Sequence, residues 1–422
     1  MEILLNFFQW FVNLGACVLL PFVIAILGIF FGMKIGRAIK SGLLVGIGFQ
    51  GLVLAVNLLI TSVTPAMEYY EKLGTGYDTL EIGFAALGAA SWTVPFAVLV
   101  IPAIILVNLL LVRLKIVKVL NVDIWNFMHF LVPGALAYAL CGSAVVGFLV
   151  ALACGVIVLF FAQWVAEPWA DFFGLEGTTC TCLSYVAWAY PICYLLNKII
   201  DKIPGLNKLD VDMSNIAKKL GVFGDPAMIG VFVGIFLSVI TKQDVSTMLT
   251  MAMGIASAMV LIPRMVSIMM EGLSPMGQAA NDYMHKKIGE DADIYIGMDI
   301  ALGLGDPACI TCTAIMIPVT ILLVFLVPDM RFFPLSLLAE VCYMTPMVVL
   351  ASKGNLFRSL VGMTIMMYLT LFFANMFIPE ATQMMSVTNV DFGSGFVTAS
   401  HFGWNPGNLA VSFANRILSM VH

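Results

Sequence analysis

Leu159-Phe160-Phe161-Ala162-Gln163-Trp164 returns later in the chain as Leu371-Phe372-Phe373-Ala374-Asn375-Met376. Pro168 and Pro379, which close the two segments, are 379 − 168 = 211 residues apart, half of the 422-residue chain. Other landmarks recur near that interval. Val63-Thr64-Pro65 matches Leu273-Ser274-Pro275, Leu87-Gly88 matches Leu302-Gly303, and Ile101-Pro102 matches Ile317-Pro318. Trp188-Ala189-Tyr190-Pro191 faces Trp404-Asn405-Pro406. The chain therefore reads as one unit written twice, residues 1–211 and 212–422, within a single domain 1–422. Duplication in a very hydrophobic protein points to a secondary-type transporter with its substrate site between the halves.

Composition sets the solvent. The chain is 61% hydrophobic and 11% charged, with a mean hydropathy of +1.02, where a soluble domain carries about 25% charged residues. Apolar runs of roughly 18 to 25 residues recur from end to end, long enough to cross a bilayer. They are continuous rather than alternating, which selects helices over a closed barrel. The expected fold is an all-α polytopic membrane protein. Met1-Glu2 is followed by no basic region and no small-residue cleavage site, so the first apolar run reads as a retained helix. The net charge of −5, spread over loops, says little about partners, and no nucleic acid is expected among them. The nine cysteines lie mostly in apolar segments and read as small packing residues; no metal or cofactor is expected.

Spans are predicted near 14–33, 42–62, 83–112, 127–140 and 144–166, and again near 223–241, 246–264, 294–327, 333–351 and 359–379. The third span of each half is long and interrupted by prolines (Pro95 and Pro102; Pro307 and Pro318), which predicts a broken helix. Each half ends in a Gly/Thr/Ser-rich segment, 176–195 and 392–410, suited to a re-entrant hairpin buried in protein. That makes 10–12 membrane segments. Lys34, Arg37 and Lys40, then Arg113, Lys115 and Lys118, then Lys198, Lys202, Lys208, Lys218 and Lys219, and finally Lys353 and Arg358 mark inside loops. The acidic stretch with Glu68, Glu71, Asp78 and Glu81 suits the outside. Five spans and a hairpin per half give two inverted repeats. A parallel repeat would need one more crossing per half.

Ionisable groups within apolar segments usually face a cavity. Asp306, in Gly303-Leu304-Gly305-Asp306-Pro307, sits at the break of a proline-interrupted helix. Its carboxylate can accept from two hydroxyls at once, or cap the following half-helix, or do both. Its repeat mate falls in Ala90-Ser91-Trp92-Thr93, which offers the Ser91 and Thr93 hydroxyls. Asp225 in Gly224-Asp225-Pro226 reads better as a cap near the membrane surface. Glu271 either lines the substrate path or is an interfacial carboxylate, and His129 is either interfacial or a hydroxyl-binding group in the core. The hairpin candidates contribute Thr178 and Thr179 from one half and His401, Trp404 and Asn405 from the other. Rings stacked on C–H faces with amide and carboxylate groups around them suit sugars. Trp10, Trp125 and Trp164 read as interface belt. There is no catalytic constellation, Walker motif or metal-ligand spacing.

The opening block resembles a known family. Phe11-Val12-Asn13-Leu14-Gly15-Ala16, Leu20-Pro21, Gly32-Met33-Lys34-Ile35-Gly36-Arg37-Ala38 and Gly42-Leu43-Leu44-Val45-Gly46-Ile47-Gly48-Phe49 are similar to the start of galactitol-type IIC permeases. These are components of the bacterial phosphoenolpyruvate-dependent sugar phosphotransferase system. Phe223-Gly224-Asp225-Pro226 and Gly303-Leu304-Gly305-Asp306-Pro307 resemble motifs of the same family. The resemblance implies a multi-pass protein of the cytoplasmic membrane that moves a sugar alcohol, galactitol or a related alditol. By analogy with the distantly related ascorbate permeases it implies a homodimer, a scaffold made from the first two spans of each half, and a core that slides as an elevator. It carries a core carboxylate over to Asp306 and a polar position to Ser91 or Thr93. Thr178-Thr179 stand where the ascorbate permeases have a His-Gln pair, which argues against ascorbate. Phosphorylation would come from separate IIB and IIA chains, with no catalytic residue in this one. The connector with Lys208, Lys218 and Lys219 is either a docking surface or a simple orientation signal. The rival readings are an ion-coupled carrier for a small polar solute and a membrane-embedded enzyme or scaffold.

Overall fold

The computed structural model describes residues 16–72, 77–209, 211, 226–288, 294–388 and 395–421. In the first half the order is α1 (Ala16–Phe30), α2 (Ile35–Glu71), β1 (Thr79–Glu81), α3 (Gly83–Ser91), α4 (Ala97–Arg113), β2 (Val119–Asn121), α5 (Met128–Cys141), α6 (Ala144–Phe173), β3 (Thr178–Cys180) and α7 (Tyr190–Ile200). The second half has α8 (Pro226–Ile240), α9 (Val245–Ile288), β4 (Tyr295–Met298), α10 (Pro307–Val324), α11 (Leu335–Ala351), α12 (Leu356–Met376), α13 (Ile378–Ser386), β5 (Phe396–Thr398), α14 (His401–Trp404) and α15 (Pro406–Val421). Short 3-10 turns at Ile124–Phe127 and Ile300–Gly305 lead into α5 and α10, and a π-helical turn at Tyr185–Ala189 leads into α7.

Local chemistry sets the helix ends. Ser143 and Asn355 accept from the backbone N–H groups of Val146 and Arg358 at the starts of α6 and α12. Gly142 and Gly174, at φ +71° and +67°, close α5 and α6 in the left-handed conformation that glycine adopts without strain. Asp306 caps α10, whose first residue is Pro307. Among the described residues, five helical stretches are long and apolar enough to cross a membrane: Ile35–Ala66, Ala144–Phe173, Val245–Ala280, Pro307–Val324 and Leu356–Met376. Shorter apolar helices occupy the other predicted spans, at Leu20–Phe30, Leu99–Arg113, Met128–Cys141, Gly230–Ile240 and Ser336–Ala351. The third span is broken in both halves, between α3 and α4 beside Pro95 and at Asp306-Pro307.

The four helices α1, α2, α8 and α9 pack through small residues. A Cβ at Gly272 would stand 2.5 Å from Ser41 O, and one at Gly48 only 2.7 Å from Met269 N. Gly51 meets Met265, and Gly254 meets Ser62. Partner numbers fall as residue numbers rise, so α2 and α9 run antiparallel along each other. Such close backbone approach is the usual route to tight helix association where lipid removes the hydrophobic driving force.

The fold is mostly helical, as expected, with five short strands that the all-α reading did not include. Two small parallel sheets interleave the halves: β1 pairs with β5, and β4 lies between β2 and β3. Thr79 N donates to Arg331 O, and Tyr295 N donates to Lys118 O, so the first strand of each half also reaches the middle of a half. The segments 176–195 and 392–410, expected as re-entrant hairpins, contain β3 and β5 and then helix in their described residues. Glu81, one acid of the stretch expected to suit the outside, is buried, with 9% of its surface exposed, at the end of β1. Asp225 lies outside the described residues.

Candidate functional site

His129 on α5 and His401 on α14 come together in the interior, 1% and 0% exposed. Their Nδ1 and Nε2 atoms are 3.3 Å apart. Ser184, just before the π-helical turn, joins both: its Oγ is 2.8 Å from His129 Nδ1 and 3.3 Å from His401 Nε2. Asn405, at the start of α15, donates through Nδ2 to His129 O and to Ser184 Oγ, both at 3.0 Å. Asn408 Nδ2 lies 3.0 Å from His401 Nδ1. Asn405 Nδ2 also lies 3.2 Å from His401 Nε2, so with these amide orientations both ring nitrogens of His401 face an amide N–H.

An aromatic floor and a carboxylate adjoin this network. Phe84 on α3 stacks on His401, with ring centroids 4.8 Å apart and planes at 14°, and lies 4.9 Å from His129. The Phe84 backbone N–H donates to Glu340 Oε1 at 2.6 Å, and Ser400 Oγ donates to Glu340 Oε2 at 2.5 Å. The side chains thus arrive from both halves: Phe84, His129 and Ser184 from the first, Glu340, Ser400, His401 and Asn405 from the second. Some capacity is unused: Trp404 Nε1 and Asn408 Oδ1 are buried with no hydrogen-bond partner among the described residues. Buried polar groups are otherwise nearly always paired, so such atoms mark places where a ligand or water belongs.

Of the residues picked from the sequence, His129, His401 and Asn405 converge here. The others stand elsewhere. Asp306 caps α10, its Oδ1 accepting from Ala308 N at 2.8 Å. Ser91 and Thr93 lie at the α3–α4 break and donate to Gly88 O and Ala90 O. Thr178 donates to Leu175 O and accepts from Trp169 Nε1, while Thr179 donates to Ala162 O, so both hold β3 against α6. Glu271 is exposed on α9.

Ser184, Glu340, Phe84 and Asn408 escaped the sequence reading. Glu340 carried a signal, since it is a carboxylate inside the apolar run 333–351. Ser184 and Phe84 carried none, because nothing local distinguishes them from packing residues.

A second acidic cluster joins the halves. Asp123 before α5 and Asp299 after β4 both accept from Asn126 Nδ2, at 2.6 and 2.5 Å. Cys182 lies beside them, its Sγ accepting from Ile300 N at 3.3 Å. Among the described residues, Asp123, Cys182 and Asp299 form the one set whose ligand atoms, all within 4.8 Å of one another, could hold a metal ion. The amide of Asn126 already stands between the two carboxylates.

The family described as "PTS system sugar-specific permease component" matches residues 10–395. The "PTS system galactitol-specific EIIC component" of Escherichia coli (strain K12) is 33% identical over 401 residues, covering 94% of this chain and 88% of that protein. The protein of the same name from Escherichia coli O157:H7 matches to the same extent. A "Putative permease IIC component" of Escherichia coli (strain K12) is 29% identical over 409 residues, 95% of this chain and 93% of that protein.

Proposed function

This chain belongs to the sugar-specific permease components of the phosphotransferase system, and from that premise we propose that it carries a sugar alcohol, galactitol or a related alditol, across the bacterial cytoplasmic membrane. The observation behind the substrate class is the buried network of His129, Ser184, His401 and Asn405 under the Phe84 ring. A polyol hydroxyl both donates and accepts. A neutral polyol can therefore meet the donors His401, Asn405 and Trp404 and the acceptors Glu340 and Asn408 while bringing no charge into a low-dielectric interior. Phe84 offers a flat apolar face to the sugar's C–H groups. Asp306, at the broken helix, is kept as a further hydroxyl acceptor, with Ser91 and Thr93 as its repeat counterparts in the first half.

The transport reading has α1, α2, α8 and α9 as a scaffold and the remaining elements as a sliding core. The antiparallel run of α2 along α9, one from each half, favours an inverted repeat, because a parallel repeat would align equivalent helices. A small apolar cavity lined by Leu59 and Ile262 from the scaffold and Leu304, Ile310, Thr313 and Cys342 from the core lies on the plane where sliding would occur. In this reading two copies associate through their scaffolds. A separate IIB subunit, recharged by IIA, phosphorylates the sugar at the inner face. The product carries about two negative charges at neutral pH and is a poor fit for an uncharged polar site, so transport does not reverse.

The test is phosphoenolpyruvate-dependent formation of galactitol phosphate by membranes holding this chain together with galactitol-type IIA and IIB proteins. Product that requires all three chains supports the proposal. Uptake driven by a sodium or proton gradient without IIB would instead establish an ion-coupled carrier.

A further inference from the structure

The first strand of each half leads into a buried carboxylate, Glu81 at the end of β1 and Asp299 just past β4. Each stands beside a second carboxylate from the other half, and each pair includes a small polar side chain from the segment after a last strand. For Asp299 these are Asp123 and Cys182; for Glu81 they are Glu340 and Ser400. Both clusters also use helix-start N–H groups. Asp299 Oδ1 accepts from Ala301 N at 2.7 Å, and Glu81 Oε2 accepts from Ser336 N at 2.7 Å.

The clusters differ in one respect. In the aspartate pair, the Asn126 amide stands between the carboxylates and gives a hydrogen to each. In the glutamate pair no described residue does this. Ser336 and Glu340 are four apart on α11 and so face the same way, which places Glu81 beside Glu340. A Cβ at Gly83 would lie 3.0 Å from Ser336 Oγ and 3.2 Å from Glu340 Oε1, which marks how closely these groups are gathered. The Ser336 hydroxyl and the N–H groups of Leu337 and Gly83 lie around the Glu81 carboxylate. Even so, Glu81 Oε1 is buried and has no hydrogen-bond partner among the described residues. A buried acceptor without a donor is costly in a native protein. Glu340 in turn touches Phe84 and Ser400, so this vacancy in the hydrogen bonding adjoins the histidine network.

We infer that the Glu81–Glu340 pair is the specificity element of the sugar-alcohol site, with Glu81 Oε1 accepting from one ligand hydroxyl where the aspartate pair has Asn126. This rests on the sugar-alcohol reading above. It assigns the two clusters different work. The aspartate pair is closed by the protein's own amide and joins the halves. The glutamate pair is completed by the ligand. The bond requires a hydroxyl donor at one position along the polyol chain, so an analogue lacking that hydroxyl leaves Glu81 as it is in the free protein.

The experiment is calorimetric titration of the purified full chain in detergent with galactitol and with each of its mono-deoxy analogues. Wild type, Glu81→Gln and Glu81→Asp are compared, with Asp299→Asn as a control and melting temperatures recorded for all. A charged acceptor's hydrogen bond is worth about tenfold or more in affinity. Glu81→Gln is expected to lose about that much for galactitol and nothing further for one analogue, while Asp299→Asn binds as wild type. Glu81→Asp, which withdraws the carboxylate by one methylene, should show the same pattern and stands in if the glutamine variant does not fold. Unchanged affinity in the Glu81 variants, or an equal loss for every analogue, overturns the inference and leaves the sugar-alcohol reading intact. Wild-type protein that binds no sugar alcohol at all overturns that reading, and the inference falls with it.

Discussion

Asp123 and Asp299, separated by nearly half the chain, reach the same amide nitrogen: Asn126 Nδ2 is 2.6 Å from one Oδ2 and 2.5 Å from the other. One neutral side chain therefore tethers the start of α5 to the segment after β4. Two carboxylates buried this deeply are tolerable only while each keeps its donors.

Asn126→Ala removes both hydrogens at once. Each carboxylate keeps a backbone donor, Ala301 N for Asp299 and the N–H of residue 126 for Asp123, but loses its side-chain donor, which costs about 2 kcal/mol or more, so the variant should melt well below wild type in detergent. Sugar-alcohol affinity of the folded fraction should stay close to wild type, because Asn126 lies in the aspartate cluster and not in the histidine network. A melting temperature equal to wild type would remove the structural role assigned to this bridge.

Much of this architecture was legible in the sequence because membrane helices advertise themselves by length and hydropathy, and each of the ten predicted spans has a helix at its place. The strands were not legible. At three or four residues each, β1 to β5 are too short for a period-two pattern to emerge, and their pairing is set by which halves meet, which is long-range information. The site was legible in part for the same reason. His129, His401 and Asn405 are unusual residues in apolar surroundings, whereas Ser184 and Phe84 acquire meaning only from what lies opposite them. The burial of Glu81 was not legible because its neighbours Glu68, Glu71 and Asp78 made it read only as one acid of a stretch, whereas β1 turns its side chain inward.

Gly234→Val tests the packing of the scaffold. A Cβ at Gly234 would stand 2.4 Å from Ala252 Cα and 2.8 Å from Ala252 N, and backbone cannot step aside as a flexible side chain can. The helices α8 and α9 would have to separate, at a cost of about 2 kcal/mol or more. The expected result is lower thermal stability and lower transport in cells, with galactitol affinity of the surviving folded protein unchanged because the site lies in other elements. Unchanged stability would mean that α8 and α9 are not packed as closely as described.

Asp78 gives a pH signature at the sheet that joins β1 to the segment around Arg331. The Arg331 guanidinium donates to its carboxylate through Nε at 3.1 Å and Nη2 at 2.8 Å, and the Thr79 hydroxyl adds a bond at 2.9 Å. These bonds, Arg331's first, hold the carboxyl below its ordinary range. A depressed folded value means that the stabilisation is fully present above the unfolded value, about pH 4, and is lost as pH falls through the folded one. The melting-temperature difference between wild type and Asp78→Asn should therefore be flat from neutral pH down to about pH 5 and close below about pH 4. The difference should also be small and shrink in high salt, because the pair is largely exposed. A difference that grows on acidification would show that another group governs the response.

Asp306→Asn separates a helix cap from a ligand. In the structure Asp306 Oδ1 accepts from Ala308 N at 2.8 Å, which is the work of an N-cap, and Asn caps about as well as Asp. The substitution therefore keeps the start of α10 and should move stability by no more than about 0.5 kcal/mol. It removes the negative charge that would let one carboxylate accept from two sugar hydroxyls. If Asp306 faces the ligand, galactitol affinity should fall about tenfold while the melting temperature stays near wild type. Asp306→Ala, which also loses the cap, should lower both, with about 1 kcal/mol of stability gone. Wild-type affinity in Asp306→Asn would leave the carboxylate a cap alone and confine the sugar to the histidine network and its neighbours.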